Sequence, residues 1–382
     1  MNRHQFPALT NKAYFNYGGQ GPMPQAALDA ILAGYQQIQS AGPFGLKTSE
    51  LVVRESNLTR QAIALDLGVT AQSIALTENV TVGCNIALWG LDWQPGDRIL
   101  LSDCEHPGVI ASIQEICRRF QVIVDIFPIQ ATLNTGDPVA VVTAQLKPQT
   151  RLVVLSHVLW NTGQVLPLAE ISAGIRQYPD ADRQIRILVD AAQSVGLLPL
   201  KLDELGIDFY AFTGHKWWCG PEGVGGLYIH PNAMNSLAPT FIGWRSLDYS
   251  QPDLPLIGDA RRYEVATSAY PLYAGLRAAI KIHQDWGSAI DRATKIVSLA
   301  TYLWESLQRL PEIKCLNHTA PRSGLVSFQV GSRNHGKLVQ SLEQAGFYLR
   351  TIVDPDCIRA CTHYFTTTAE IDELVQCLTK LT

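Results

Sequence analysis

The sequence predicts an α/β fold with a large, doubly wound, mainly parallel sheet domain and a smaller α+β C-terminal domain. Three observations predict it. Between about residues 60 and 230, short β-rich runs alternate with helical stretches, as successive βαβ units do. Several of those runs are apolar throughout, the pattern of strands covered on both faces. Their carboxyl ends, at Ser102, Ser156, Asp190 and Phe212, lead directly into polar residues, and ligands bind beyond those ends in such sheets.

Taken in order, strands are expected at Ser73–Thr77, Arg98–Ser102, Gln121–Asp125, Arg151–Ser156, Arg186–Asp190, Phe209–Phe212 and Gly225–Ile229, with a helix at Val109–Phe120. Residues 231–262 are rich in Pro, Gly and polar side chains and read as a crossing loop. Helices over Leu272–Trp286 and Asp291–Leu310 and strands over Gly324–Val330 and Ile358–Cys361 then suggest the smaller domain. The last segment opens on Thr368 as a cap and continues as an amphipathic helix. The expected division is residues 16–250 for the large domain, and 1–15 with 251–382 for the small one.

Composition narrows the function. Hydrophobic residues make up 47% and charged residues 17% of the 382, so a packed core is expected rather than disorder. A net charge of −4 speaks against a nucleic-acid partner, which would demand a basic face. The N-terminus shows no signal-peptide run and no stretch reaches transmembrane length, so a cytoplasmic protein without a membrane partner is expected. Eight scattered cysteines with no CxxC suit reduced thiols, and no His/Cys spacing suggests a metal.

The chemistry concentrates in two segments: Leu188-Val-Asp190-Ala-Ala-Gln193-Ser, and Phe212-Thr213-Gly-His215-Lys216-Trp-Trp. Lys216 follows Asp190 by 26 residues, in a stretch too apolar for a surface loop. Desolvation disfavours a buried ammonium, and a Schiff base with pyridoxal phosphate removes the charge. Asp190 would hold a proton on the pyridine nitrogen, although an aspartate at a strand end also caps helices. Gln193 offers a donor to the phenolate oxygen or is a surface residue on a first turn. His106 stacks on the ring or is a satisfied loop histidine. The segment Thr77-Glu-Asn79-Val80-Thr81 begins a helix, whose N–H groups with the Thr81 hydroxyl would cradle a phosphate or make a simple cap. Asn161 ends another strand within reach of cofactor or substrate. Arg359 on a late strand suits a substrate carboxylate, with a surface ion pair as the alternative.

These pieces, in this order, resemble the class V aminotransferase group of fold-type I pyridoxal phosphate enzymes, and within it cysteine desulfurases and the related cystine/cysteine C–S lyases. Glu105-His106, Asp190-Ala-Ala-Gln193 and Gly214-His215-Lys216 carry the resemblance, which runs from Tyr14 to the last helix. It implies that Lys216 links to the cofactor and moves the α-proton, that Asp190 pairs with the pyridinium and that His106 stacks on the ring. Asn161 and Gln193 lie near the phenolate oxygen, Asn79, Val80, Thr81, Thr213 and His215 hold the phosphate, and Arg359 takes the carboxylate. It further implies a homodimer in which Thr267, in Glu264-Val-Ala-Thr267, reaches the partner's phosphate. Trp244 from the partner, with Gly19 and Gln20, would line the substrate pocket; core packing is the other reading of Trp244.

Two departures bear on the reaction. Cysteine desulfurases carry a mobile nucleophilic cysteine shortly before the carboxylate-binding arginine. Here Tyr348 to Arg359 is short, and its one cysteine, Cys357, falls two residues before Arg359 inside the expected strand. Glu78-Asn79-Val80 also departs from the desulfurases' phosphate-site pattern. A lyase releasing pyruvate, ammonia and cysteine persulfide is expected, with an iron–sulfur apoprotein or another sulfur acceptor as partner. A desulfurase giving alanine, an aminotransferase or an epimerase-like enzyme remain alternatives, as does a non-catalytic cofactor-binding protein.

Overall fold

The structure is a computed structural model describing residues 3–179, 181–331 and 333–381. In chain order the elements are β1 Ala13–Tyr14, α1 Gln25–Ala41, α2 Leu46–Leu67, β2 Ile74–Thr77, α3 Val80–Gly90, β3 Arg98–Ser102, α4 Pro107–Phe120, β4 Ile123–Phe127, α5 Pro138–Thr143, β5 Thr150–Ser156, α6 Leu168–Arg176, β6 Arg186–Asp190, β7 Phe209–Thr213 and β8 Gly225–Ile229. There follow α7 Tyr270–Trp286, α8 Ala289–Gln308, β9 Ile313–Cys315, β10 Leu325–Val330, α9 His335–Gln344, β11 Phe347–Tyr348, β12 Arg350–Ile352, β13 Cys357–Cys361 and α10 Thr368–Leu381.

Seven strands form the large sheet in the order β2-β8-β7-β6-β5-β3-β4. Only β8 runs against its neighbours. The apolar runs are explained by burial on both faces: Val153, Leu155, Ile187, Val189, Tyr210 and Phe212 pack with α2, α6 and α7. The intervening Leu152, Val154, Leu188, Phe209 and Ala211 pack with α3 and α4 on the other side. Because six strands point the same way, Thr77, Ser102, Ser156, Asp190 and Thr213 end along one rim. That shared rim is what places the site.

The second sheet, β12-β13-β10-β9, is antiparallel and is packed by α8, α9 and α10. Residues Tyr263, Tyr273, Leu276 and Ile280 belong to the cores of the large sheet. We therefore propose that the domain division falls after α7, beyond the 250/251 boundary expected from composition.

Three local expectations shift. Strand β4 lies two residues later than expected, because Gln121 takes a left-handed conformation (φ 57°) and closes α4. Thr367 rather than Thr368 caps α10: its Oγ1 accepts from Glu370 N (3.2 Å) while Glu370 accepts from Thr367 N (2.8 Å), a reciprocal capping box. The crossing segment holds short 3-10 turns at Pro231–Ser236, Trp244–Ser246 and Ala260–Tyr263. No helix among the described residues is long and apolar enough to cross a membrane.

Candidate active site

The phosphate end is built by three strands and one helix. Thr77 and Thr213 both pair with Gly225, so β2, β8 and β7 bring them to either side of one residue. A side chain at Gly225 would lie 2.4 Å from the Phe212 carbonyl and 3.1 Å from Asn79 Cα. Glycine there lets α3 start close against the sheet. Gly83 does the same one turn later, where a Cβ would sit 2.9 Å from that of Ala211. The first N–H groups of a helix lack intrahelical partners. Asn79 Oδ1 takes that of Val82 at 3.0 Å, leaving those of Val80 and Thr81 for an anion. Thr213 Oγ1 lies 2.6 Å from His215 Nδ1, which orients the imidazole beside them.

Asp190 ends β6 between Ser156 and Ala211 and is buried. Its Oδ1 accepts from Ala192 N at 2.9 Å, so the turn-capping expectation and the ligand expectation coexist: Oδ2 has no protein partner among the described residues. Burial raises its pKa, opposed by that N–H and by Lys216 and His106. Beside it lies a second carboxyl. Glu105 accepts from Ser102 Oγ (2.5 Å), Ser156 N (2.8 Å) and Ser156 Oγ (2.9 Å), and burial with the nearby Asp190 charge pushes it up to about 7.

Lys216 keeps some access to the cleft but sits deep enough for desolvation to bring its pKa down to about 8. Asp190 opposes the shift, and Arg359 and Arg350 add to it. The neutral, nucleophilic amine is therefore accessible near neutral pH. His106 caps α4, its Nδ1 accepting from Gly108 N at 3.2 Å, so the neutral ring carries its proton on Nε2. Burial lowers its pKa, Asp190 opposes, and Lys216 and Arg350 add to the lowering. The same ring meets Trp160 edge-on at 5.6 Å.

Arg359 is buried on β13 and donates to the carbonyl of Trp160 at 2.7 Å and to Asn16 Oδ1 at 3.4 Å. It has no carboxylate partner among the described residues, and its Nε is unpaired. The surface-ion-pair alternative is thereby removed. A buried guanidinium so placed calls for an anionic ligand. Arg350, paired with Arg359 across β12 and β13, is exposed, yet its charge is felt by both Lys216 and His106. No motif marks an arginine on a short strand, and only the register of β12 against β13 sets it opposite Arg359.

Asn161 is buried, donating to the Asp354 carbonyl at 3.1 Å, while its Oδ1 has no partner. Gln193 is buried rather than a surface residue. It donates to the Gly18 carbonyl (2.8 Å) and accepts from Trp217 Nε1 (3.0 Å), which leaves one amide hydrogen for a phenolate oxygen. Segment 17–21 closes over the site: Gly18 abuts the Arg359 guanidinium, and Gly21 N donates to the His215 carbonyl at 2.7 Å. Gly19 is half-buried in this segment, and Gln20, exposed, donates to Glu222. Trp244 and Thr267 are exposed, and their side chains make no hydrogen bond among the described residues. Thr267 lines a cavity together with Thr77, Glu78 and Arg245.

A buried carboxylate with one free oxygen, a lysine of lowered pKa, a buried guanidinium without a carboxylate partner and a helix N-terminus flanked by two threonines fit the ring nitrogen, aldehyde and phosphate of pyridoxal phosphate with an amino acid bound to it. The family model for aminotransferase class V matches residues 13–374. The chain belongs to the class V aminotransferase family. Solved structures similar to this chain include the cystine C–S lyase C-DES in complex with its reaction product cysteine persulfide. It is 52% identical, with TM-score 0.96 over 98% of this chain and 99% of that one. A C-DES mutant with glycine covalently linked to the PLP cofactor matches at 51% identity and TM-score 0.96, over 99% of both chains. A cysteine desulfurase of Klebsiella pneumoniae is 27% identical over 99% of this chain and 97% of its own. An isopenicillin N epimerase of Streptomyces clavuligerus is 31% identical, but the match spans 62% of this chain and 58% of the epimerase. Class V aminotransferases use pyridoxal phosphate, and the donor set described above is what that cofactor requires.

Proposed function

We propose that the protein is a pyridoxal 5'-phosphate-dependent C–S β-lyase. It cleaves L-cystine, and less well L-cysteine. Cystine and one water give pyruvate, ammonia and cysteine persulfide; cysteine gives sulfide in place of the persulfide. The observation that carries this reading is the β12–β13 hairpin. The only cysteine between Arg350 and Arg359 is Cys357, fully buried in β13 and pushed by burial to a pKa of about 12. A thiol so held is inert and cannot take sulfur from a substrate, so the sulfur leaves on the substrate's own fragment. The likeness to C-DES supports the same substrate.

When bound, pyridoxal phosphate supplies the electron sink that lets the Cα–H bond ionise. Lys216 would hold the aldehyde carbon, give that carbon up to the substrate's amino group, and with the amine so freed move the α-proton. Asp190 keeps a proton on the ring nitrogen. Val80 and Thr81 N–H groups, Thr213 and His215 hold the phosphate, and His106 covers the ring. Arg359 grips the carboxylate next to the reacting carbon. Cystine carries a second carboxylate, and Arg350 at the mouth is the cation available to it.

The active unit in this reading is a homodimer. Phe241, Ile242, Trp244 and Val265 are exposed large apolar residues on the segment that also exposes Thr267, a patch that a second copy would cover. Thr267 and Trp244 would then serve the partner's site. The persulfide serves a cytoplasmic sulfur acceptor such as an iron–sulfur apoprotein. Incubation of the purified protein with cystine tests the reaction: pyruvate, ammonia and persulfide should appear in equal amounts. Alanine as the main product would replace this reading with a desulfurase.

A further inference from the structure

We infer that His363 is a positioning residue for the reaction, because its imidazole ties the turn that carries Lys216 to the strand that carries Arg359. The inference rests on the reading of Lys216 and Arg359 given above.

The turn after β7 must end buried carbonyls without a strand or helix to receive them. Trp217 and Trp218 are fully buried, and Cys219 takes a left-handed conformation (φ 53°). A buried carbonyl needs a donor, and two histidines supply them. His363 Nε2 lies 3.1 Å from the Trp217 carbonyl, and His283 Nε2 lies 2.7 Å from that of Trp218. His283 is fixed in turn by Tyr364, whose hydroxyl lies 2.5 Å from its Nδ1. The indoles are also bonded, Trp217 to Gln193 (3.0 Å) and Trp218 to Asp66 (2.8 Å).

His363 differs from His283 in where it comes from. It lies four residues beyond Arg359 on the same segment, in the small domain. Its ring is held between Phe365 (4.4 Å, 14° between planes) and Tyr17 (4.7 Å, 30°). Its backbone is pinned by Thr366, through His363 N to Thr366 Oγ1 (2.9 Å) and Thr366 N to the His363 carbonyl (2.8 Å). The link from Arg359 to the Lys216 turn is therefore short and has little freedom. Arg359 sets the substrate carboxylate, and Lys216 must meet the hydrogen on the adjacent carbon, so the two act on neighbouring atoms. A misplacement of about 1 Å at that point costs on the order of 10²-fold in rate. Stacking alone would be served equally by phenylalanine; the N–H donor would not.

Two variants separate positioning from packing. His363→Phe keeps the ring and loses the donor, while His363→Gln keeps a donor at the Nε2 position and loses the ring. In the holoenzyme, His363→Phe should retain pyridoxal phosphate binding and lose only a few degrees of thermal midpoint, as one orphaned carbonyl costs, yet lose about tenfold or more in kcat with KM for cystine within about threefold. The pH midpoint of its lysine-dependent visible absorbance should also move. His363→Gln should return kcat to within about threefold of wild type. Wild-type kcat in His363→Phe, no rescue by His363→Gln, or a loss that follows cofactor occupancy would each overturn the inference. Should His363→Phe fail to fold, His363→Asn, whose amide is too short to reach, replaces it; equal activity of the Asn and Gln variants then overturns it. Failure of the cofactor reading shows separately, as a wild-type protein whose visible absorbance survives Lys216→Ala.

Discussion

The rim of the large sheet and the β12–β13 hairpin each deliver charged groups to one cleft, but by different routes. At the rim, Asp190, Thr213 and Lys216 lie at or just past strand ends, so the local sequence that makes the strand also aims the residue. At the hairpin, Arg359 and Arg350 sit within short antiparallel strands. Their position depends on how a second domain, with its own core, packs against the first. In the proposed function the rim would define the cofactor, and the hairpin the reaction and its substrate. Substitutions at the two places should therefore fail differently.

The largest effect belongs to the rim. Lys216→Ala should abolish both turnover and the visible absorbance of the cofactor-bound enzyme, because no other described amine occupies that turn. Residual absorbance at wild-type strength, read in a simple spectrum, would break the comparison at its base. Next comes the hairpin. Arg359→Ala should leave the absorbance intact and lower kcat/KM for cystine by about 10²-fold, the usual cost of losing a buried charge-assisted fork, roughly 2–5 kcal/mol. Arg359→Lys should recover little, since an ammonium cannot reproduce the fork. Loss of cofactor binding in either variant would mean that the hairpin does not act on substrate alone.

Arg350→Ala should be milder and selective. Exposed charges contribute less than buried ones, about 1 kcal/mol or less, so kcat/KM for cystine should fall about threefold to fivefold. Cysteine, lacking the distal carboxylate, should be almost unaffected. Equal losses on both substrates would remove the distal role from Arg350.

What could be read from the sequence follows the same division. The rim was legible because an apolar run ending in aspartate, and a lysine in an apolar stretch, are local signals; β3, β6 and β8 were also placed to the residue. Strand β4 was misplaced because Gln121, a residue with no turn signature, adopts the left-handed conformation that ends α4. Gln193 could be read as a donor to the phenolate oxygen but not told apart from a surface amide, since nothing in Asp190-Ala-Ala-Gln193 announces that Gly18, 175 residues away in sequence, will cover it. Arg350, His283 and His363 were illegible for the same reason. Their roles arise from contacts between segments far apart in the chain, and His363 meets a carbonyl 146 residues earlier.

The smallest effect concerns stability, and it tests whether the rim is as dry as its geometry suggests. Glu105 is raised from 4.5 to about 7, chiefly by burial and then by Asp190. The folded protein thus holds a proton that the unfolded chain releases near pH 4.5. Its contribution is fully present below that pH and is lost as pH rises through about 7. The shift corresponds to roughly 3 kcal/mol at most. In the apo-protein, Glu105 and Asp190, both raised, pull the urea midpoint down between pH 5 and pH 8, while the buried His157, His283 and His363, whose pKa values burial lowers, push it up until about pH 6.5. Glu105→Gln keeps one acceptor oxygen for Ser102 Oγ and Ser156 N, turns the other position into a donor to Ser156 Oγ, and cannot titrate, so across that window its midpoint should fall less, or rise more, than that of the wild type. The difference between the two slopes isolates Glu105 from Asp190. Identical slopes would show that water reaches Glu105, and the rim would then be no drier than the hairpin's exposed Arg350.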